Sequence, residues 1–243
     1  IDKGRGMRNS NISSLIKNNE NKILKKSNLE IKNNNFDIEI FTENKNDKLK
    51  KIIKVNNDLS RESLDFLNQS ISYLIFIPEM ERIFQASPSY RRNFLDRLVY
   101  ASRNDYNKLI NRYRKYLLER TQILQTNQID NDWLNQIEKE ICSLGLEIYQ
   151  LRASQLNLLN SQLKNLKNDH KFQFNVELEL KDDFFDKDFN FEKYLNILHN
   201  FRVHDKQYGG TKIGPHRSDI ISKINNDYEA SLLSTGQQKT VVL

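Results

Sequence analysis

Between residues 88 and 209 the chain carries one glycine, Gly145, and no proline. No other feature restricts the fold as strongly. In a helix interior glycine costs about 1 kcal/mol and proline about 3 kcal/mol. A stretch this long without them is free to build long helices, and its apolar residues fall at helical spacing. Leu95, Val99, Tyr106, Leu109, Tyr113, Tyr116 and Ile123 form one stripe. A polar break follows over 126–132. A second stripe then runs through Ile137, Ile141, Leu144, Ile148, Leu151, Leu158, Leu159, Leu163 and Leu166. Two long amphipathic helices joined by a short loop must lie antiparallel. The expectation is a helical hairpin of roughly 35 residues per leg, about 50 Å long at the α-helical rise. Ser89, directly after Pro88, is expected to cap the first leg. Cys142 falls in the pattern of a small core residue.

On either side of this stretch the period changes. Residues 36–41, FDIEIF, alternate with period two and predict a half-buried strand. Polar turn residues at 44–47 and a second run at 49–55 make it a hairpin. Residues 73–77, YLIFI, are continuously apolar up to Pro78, the look of a strand buried on both faces. Residues 172–180, FQFNVELEL, alternate without error and predict another strand. A helix over 191–201, a glycine-bearing loop over 209–219 and a strand over 220–224 follow. The chain therefore leaves a sheet, makes a helical excursion and returns to a sheet. That is an insertion topology in a mixed α and β fold.

Composition narrows the function classes. A chain of 243 residues can bury a sizeable core. No run of 18 apolar residues occurs, so no membrane span is expected, and no signal peptide is visible. A single cysteine excludes an internal disulfide and fits a reducing cytoplasm. The net charge is +6, and the whole of that excess lies within residues 89–124, where nine basic residues face three acidic ones. Clustered arginine and lysine are the footprint expected for phosphate binding. A solvated helix face carries the same pattern, and both readings stand on charge alone.

Three short stretches carry chemistry. The first is L-S-x-G-Q at 233–237. A serine hydroxyl and a glycine amide at a helix N-terminus turn donors outward where the helix dipole favours an anion. Glycine also lets the backbone approach a phosphate closely. An ordinary capped helix has the same composition. The second is GGTKIGPHRSD at 209–219, which could cradle phosphate, although no G-x-x-x-x-G-K-[ST] occurs in the chain. His216, with His199 and His204 upstream, lacks metal-ligand spacing, and no metal site is expected. The third is PSYRRNFLDR at 88–97. It puts Arg91 and Arg92 at a helix start, where the dipole disfavours cations. A nucleic-acid phosphate would compensate them, and so would Glu79, Glu81 or Asp96.

Taken in order, GRGMRNS at 4–10, SPSYRRNFLDRLVY at 87–100, GGTKIGPHRSDI at 209–220 and LLSTGQQK at 232–239 resemble the RecF family of DNA replication and repair ATPases. The resemblance covers essentially the whole chain. It implies an α/β, mixed α+β, ABC-type ATPase head of the SMC and Rad50 kind, interrupted by an antiparallel helical-hairpin arm. Residues 1–88 would be the first part of the head, 89–170 the arm, and 171–243 the return to the head, ending at the signature motif.

In that family ATP, with Mg2+, sits between the heads of a homodimer. The Walker A lysine and Walker B acid of one subunit face the signature motif of the other. Ser234, Thr235 and Gly236 match that signature, with Gln237 and Lys239 beside it. The resemblance places Walker A upstream of residue 1 and Walker B downstream of residue 243. The chain then reads as an internal fragment that binds no ATP alone and shows no turnover alone, although the family is a weak DNA-dependent ATPase. The family is cytoplasmic, clamps DNA with a preference for duplex beside a single-stranded gap, and works with RecR and RecO to load recombinase in repair and the SOS response. Arg5, Arg8, Arg91, Arg92 and Arg97 are the expected DNA contacts, from charge and position. Gly214, Pro215, His216, Arg217 and Asp219 match a family loop of undefined role.

Two other readings remain. A non-enzymatic helical-hairpin adaptor accounts for the arm and the charge but leaves L-S-T-G-Q unused. A transporter-type ATPase predicts a short helical subdomain before the signature, not a long two-legged arm followed by a strand.

Overall fold

The computed structural model describes residue 16 and residues 23–31, 34–45, 48–71, 78–168, 175–225 and 228–242. The expected strand at 73–77, the motif at 4–10 with Arg5 and Arg8, and residues 172–174 lie outside these. The chain forms two compact units, Ile1–Tyr73 and Leu74–Leu243. The fold is mixed α/β, with two small antiparallel sheets.

The first unit is a three-stranded meander. Strands β1 (Leu24–Ile31), β2 (Asn34–Lys45) and β3 (Lys48–Val55) pair in that order. Ile38 sits opposite Val55 and Ile40 opposite Ile53, so alternate residues of both strands share one apolar face. Helix α1 (Arg61–Ser70) covers that face. Its Leu67 is buried with Phe36, Ile38 and Val55. The helix starts where Ser60 Oγ accepts the Ser63 amide, an ordinary N-cap.

The second unit opens with a 3-10 helix over Pro78–Gln85, followed by α2 (Pro88–Ser102), α3 (Tyr106–Gln125) and α4 (Asn131–Asn168). Ser87, not Ser89, holds the N-cap position of α2, because Pro88 takes the first helical place, where its missing N–H costs nothing. The first leg is two helices rather than one. Arg103, Asn104 and Asp105 interrupt it, and the short polar side chains of Ser102, Asn104 and Asp105 are of the kind that compete with the helical backbone. Arg103 closes the interruption by bonding Asp105 at 2.7 Å and Glu147 of α4 at 2.8 Å. The step from Val99 to Tyr106 spans two full turns, so the apolar stripe stays in phase across the break.

Helix α4 is 38 residues long, about 57 Å at the α-helical rise. It packs along α3 and also against α2. Helices α5 (Phe191–Asn200) and α6 (Arg202–Tyr208) lie against α4 and α3 respectively. Gly145, in the middle of α4, accommodates Tyr194 of α5. A Cβ there would come within 2.7 Å of the Tyr194 ring. Strands β4 (Val176–Lys181), β5 (Asp219–Ile224) and β6 (Tyr228–Glu229) form the second sheet. Asn160 of α4 bonds both the amide and the carbonyl of Leu178, at 2.8 and 2.9 Å, and so ties β4 to the long helix. The helical segment and the segment after it thus share one core, with Tyr106, Tyr113, Ile141, Ile148, Tyr194 and Leu198 at its centre.

Candidate functional site

A short 3-10 helix over Ala230–Leu232 leads through Leu233 into α7 (Thr235–Val242). Leu233 is buried, and the chain turns outward directly after it. Ser234 and Gln237 form a reciprocal pair. The Ser234 amide donates to Gln237 Oε1 at 3.0 Å, and the Gln237 amide donates to Ser234 Oγ at 3.4 Å. This is the capping box expected of a serine followed three residues later by glutamine. The helix is anchored from below. Gln238 is fully buried and donates to the Leu233 carbonyl at 2.8 Å. Lys239 pairs with Glu81 of the first 3-10 helix at 2.9 Å. Ser234, Thr235, Gly236 and Gln237 are all exposed. A Cβ on Gly236 would meet nothing within 4 Å, so this glycine leaves open space for an approach from outside.

The loop after α6 is held by two buried arginines. Arg120 of α3 has no exposed surface. Its guanidinium bonds Glu138 of α4 at 2.9 Å, Asp205 of α6 at 2.6 Å, Thr211 of the loop at 2.9 Å and the Leu198 carbonyl at 2.9 Å. Glu138 also receives Arg202, and Asp205 accepts the Lys212 amide at 3.1 Å. Arg152 of α4 makes a two-bond pair with Asp96 of α2 at 2.9 and 3.0 Å. It also donates to the Pro215 carbonyl and to Ser218 Oγ. Buried charges persist only when paired and hydrogen-bonded, and here the pairing draws α2, α3, α4, α6 and the loop together.

His216 completes this latch. Its Nε2 lies 2.8 Å from the Thr211 carbonyl, which can only accept, so Nε2 carries the proton. Nδ1 then accepts from the Tyr113 hydroxyl at 2.9 Å, and the Tyr194 hydroxyl lies 3.2 Å from that of Tyr113. Both nitrogens are used, so His216 is free neither as a base nor as a ligand. Among the described residues no group of three or more His, Cys, Asp or Glu side chains is placed to hold a metal ion.

Gly214 has φ of +127° and lies under the two tyrosine hydroxyls. A Cβ there would come within 2.2 Å of one and 2.3 Å of the other. Gly214→Ala is therefore expected to cost about 2–4 kcal/mol, from backbone strain and overpacking together. A urea midpoint within error of the wild type would contradict this close fit.

Burial pushes the His216 pKa down to about 4, against the bond to Thr211 and helped by Arg217, Arg92 and Arg152. The folded pKa is thus below the unfolded one near 6.5. The folded state binds fewer protons in that window, so stability is present above pH 6.5 and falls as pH drops toward 4. The loss from this group is about 3 kcal/mol. Urea titrations of wild type and His216→Gln from pH 7 to 4 check it. The wild-type curve should fall more steeply, by up to one proton.

The arginines at the start of α2 are used internally. Arg91 makes a two-bond pair with Asp219 at 2.8 and 2.7 Å, and also donates to the Phe84 and Ala86 carbonyls. Burial opposes ionisation of Asp219, but the bonds from Arg91 outweigh it and hold its pKa below the usual value. Arg92 donates to the Ser218 carbonyl at 2.6 Å. Of the nearer carboxylates expected to compensate them, Glu81 serves Lys239 and Asp96 serves Arg152, and the Glu79 side chain lies outside the described residues. Arg97 is exposed and makes no hydrogen bond or ion pair among the described residues. Arg217 is exposed and donates to the Thr211 carbonyl at 3.3 Å. No described helix is long and apolar enough to cross a membrane.

No family model matches the chain. Among curated proteins, the DNA replication and repair protein RecF of Rickettsia felis and that of Rickettsia massiliae are each 28% identical to it over 99% of its length. The chain spans 66% of the length of each. A solved structure of the recombination mediator protein RecF-ATPrS in the RecFOR pathway superposes with a TM-score of 0.78 at 24% identity. It covers 98% of this chain and 66% of that one. The RecF-ATP structure gives 0.76 at 24% identity. The solved structures share the fold, and the curated relatives align with almost every residue. The chain, with its exposed α7 N-terminus and its latched loop, is thus similar in sequence to RecF proteins along almost its whole length and shares the fold of the solved RecF structures.

Proposed function

We propose that the chain is part of a RecF-type recombination and repair protein that binds DNA in an ATP-dependent manner. In this reading it contributes the signature segment to a nucleotide held by a second subunit. One observation carries the proposal: residues 234–237 are all exposed at the N-terminus of a helix that is firmly anchored from below. The donor set fits an anion. The first-turn amides of Thr235 and Gly236 have no partner within the helix. The Ser234 hydroxyl keeps its own proton for donation, because its oxygen is the acceptor in the capping pair. The helix dipole adds to both.

ATP, with Mg2+, would supply the γ-phosphate charge that draws two heads together. Ser234 and Gly236 would orient and stabilise that charge, with Gln237 fixing the cap and Lys239 fixing the helix. DNA, RecR and RecO are the proposed partners, in the cytoplasm. Arg97, with Arg5 and Arg8, is proposed for DNA contact ahead of Arg91, whose guanidinium is held by Asp219; Arg92 gives one nitrogen to the Ser218 carbonyl. The test is ATP-dependent self-association of the complete protein by sedimentation, with and without Ser234→Arg. Association lost in the variant supports the reading. Association unchanged contradicts it.

A further inference from the structure

A cavity of about 240 Å³ opens among α2, α3, α4 and the 209–219 loop. Arg92, Asn93, Asp96, Arg114, Arg152 and His216 contribute to its lining. Three guanidinium groups therefore face one carboxylate. Arg152 and Asp96 neutralise each other through two bonds. His216 is held neutral at pH 7, and both its nitrogens are used. The uncompensated charge belongs to Arg92 and Arg114. Arg92 uses one nitrogen on the Ser218 carbonyl and keeps Nε and Nη2 without a partner among the described residues. Arg114 is exposed and makes no hydrogen bond or ion pair among them.

The geometry points to a phosphate-binding subsite in this cavity, with Arg92 and Arg114 as the charged donors and Asn93 as a neutral one at the rim. Guanidinium groups present forked donors that match the oxygens of a phosphate. Two of them, uncompensated, suit a group carrying one to two negative charges. The volume is about that of eight waters in the liquid, enough for a phosphate with part of a sugar. A nucleobase has no platform here. Tyr113, the aromatic residue of the lining, is 2% exposed, and its hydroxyl is committed to His216. The proton affinity of Arg92 is lowered, first by burial and then by Arg152, with Arg217 adding to this and Asp219 and Asp96 opposing it. An anion in the cavity would relieve that crowding of cations. That the phosphate belongs to a DNA backbone rests on the function proposed above; the subsite itself does not.

The test titrates inorganic phosphate into the purified chain by calorimetry, with chloride at matched ionic strength as the control. One phosphate per chain is expected. Arg114→Ala should weaken it about tenfold or more, the size of a lost charge-assisted bond. Asn93→Asp, which sets a carboxylate at the rim and removes no guanidinium, should weaken it too, with the urea midpoints of both variants close to wild type. A DNA arm measures affinity against salt. If a backbone phosphate occupies the subsite, the slope in Arg114→Ala falls by about one. An unchanged slope with phosphate displaced by ATP supports the subsite and assigns it to a nucleotide phosphate. Phosphate bound by a chain that binds no DNA also supports the subsite, while contradicting the DNA function. Phosphate bound no better than chloride, or equally by wild type and both variants, overturns the proposal.

Discussion

Arg120→Ala is expected to lower the unfolding free energy by about 3–5 kcal/mol, the cost of stripping one partner from a buried ion cluster. Arg120, Glu138 and Asp205 are all within 1% of full burial. The arginine is bonded to both carboxylates, to Thr211 and to the Leu198 carbonyl. Among the described residues its removal leaves the Asp205 carboxylate buried with the Lys212 amide at 3.1 Å and a His204 nitrogen 3.9 Å away. Glu138 keeps Arg202, so Asp205 should carry the larger part of the penalty. The same change vacates the space of one of the largest fully buried side chains. The effect should be read as a fall in the urea midpoint with little change in the slope. A double variant that also replaces Asp205 by asparagine should recover part of the loss, because the orphaned charge is then gone. A loss below about 1 kcal/mol would mean that the cluster does not hold the loop against α3.

The second large effect is functional. Ser234→Arg in the complete protein should abolish ATP-dependent association and cut ATP turnover about 100-fold or more, the scale of a lost oxyanion donor. The arginine fills the open space beside Gly236 and opposes the helix dipole. Its cost to folding should stay near 1 kcal/mol, the worth of an N-cap, because the helix remains held by Gln238 and Lys239. The two effects are therefore separable: large for association, small for stability.

Much of the fold was legible in the chain's periodicity. The strands at 36–41 and 49–55, the helix at 191–201, the strand at 220–224 and the helix after L-S-T-G-Q are all present. Strand β1 was not legible. Its central Lys25, Lys26, Ser27 and Asn28 show no alternation, and it is a strand through pairing with β2. The α2–α3 break was hidden by a spacing of two whole turns. Of the candidate site, the helix start at Ser234 and Gly236 could be read because helix capping is a local rule. The partners of Arg91 and Arg120 could not. Arg91 finds Asp219 across 128 residues, whereas the sequence pointed to nearer carboxylates. A signal did exist for the buried cluster. Arg120 falls on the stripe of Tyr106, Ile110 and Tyr113, and Glu138 and Arg152 on that of Ile141, Cys142 and Tyr149. A charge on an otherwise apolar helical stripe marks a buried pair or a functional group.

The central claim is that Ser234 and Gly236 serve a nucleotide held by another subunit. Mixing two inactive variants of the complete protein tests it. One carries Ser234→Arg. The other is altered at the lysine of its phosphate loop. Each homodimer has no intact composite site, but a mixed dimer has one. Turnover restored on mixing, carried by the one intact site of the mixed dimer, is the result predicted here. Mixtures as inactive as either variant alone would contradict it.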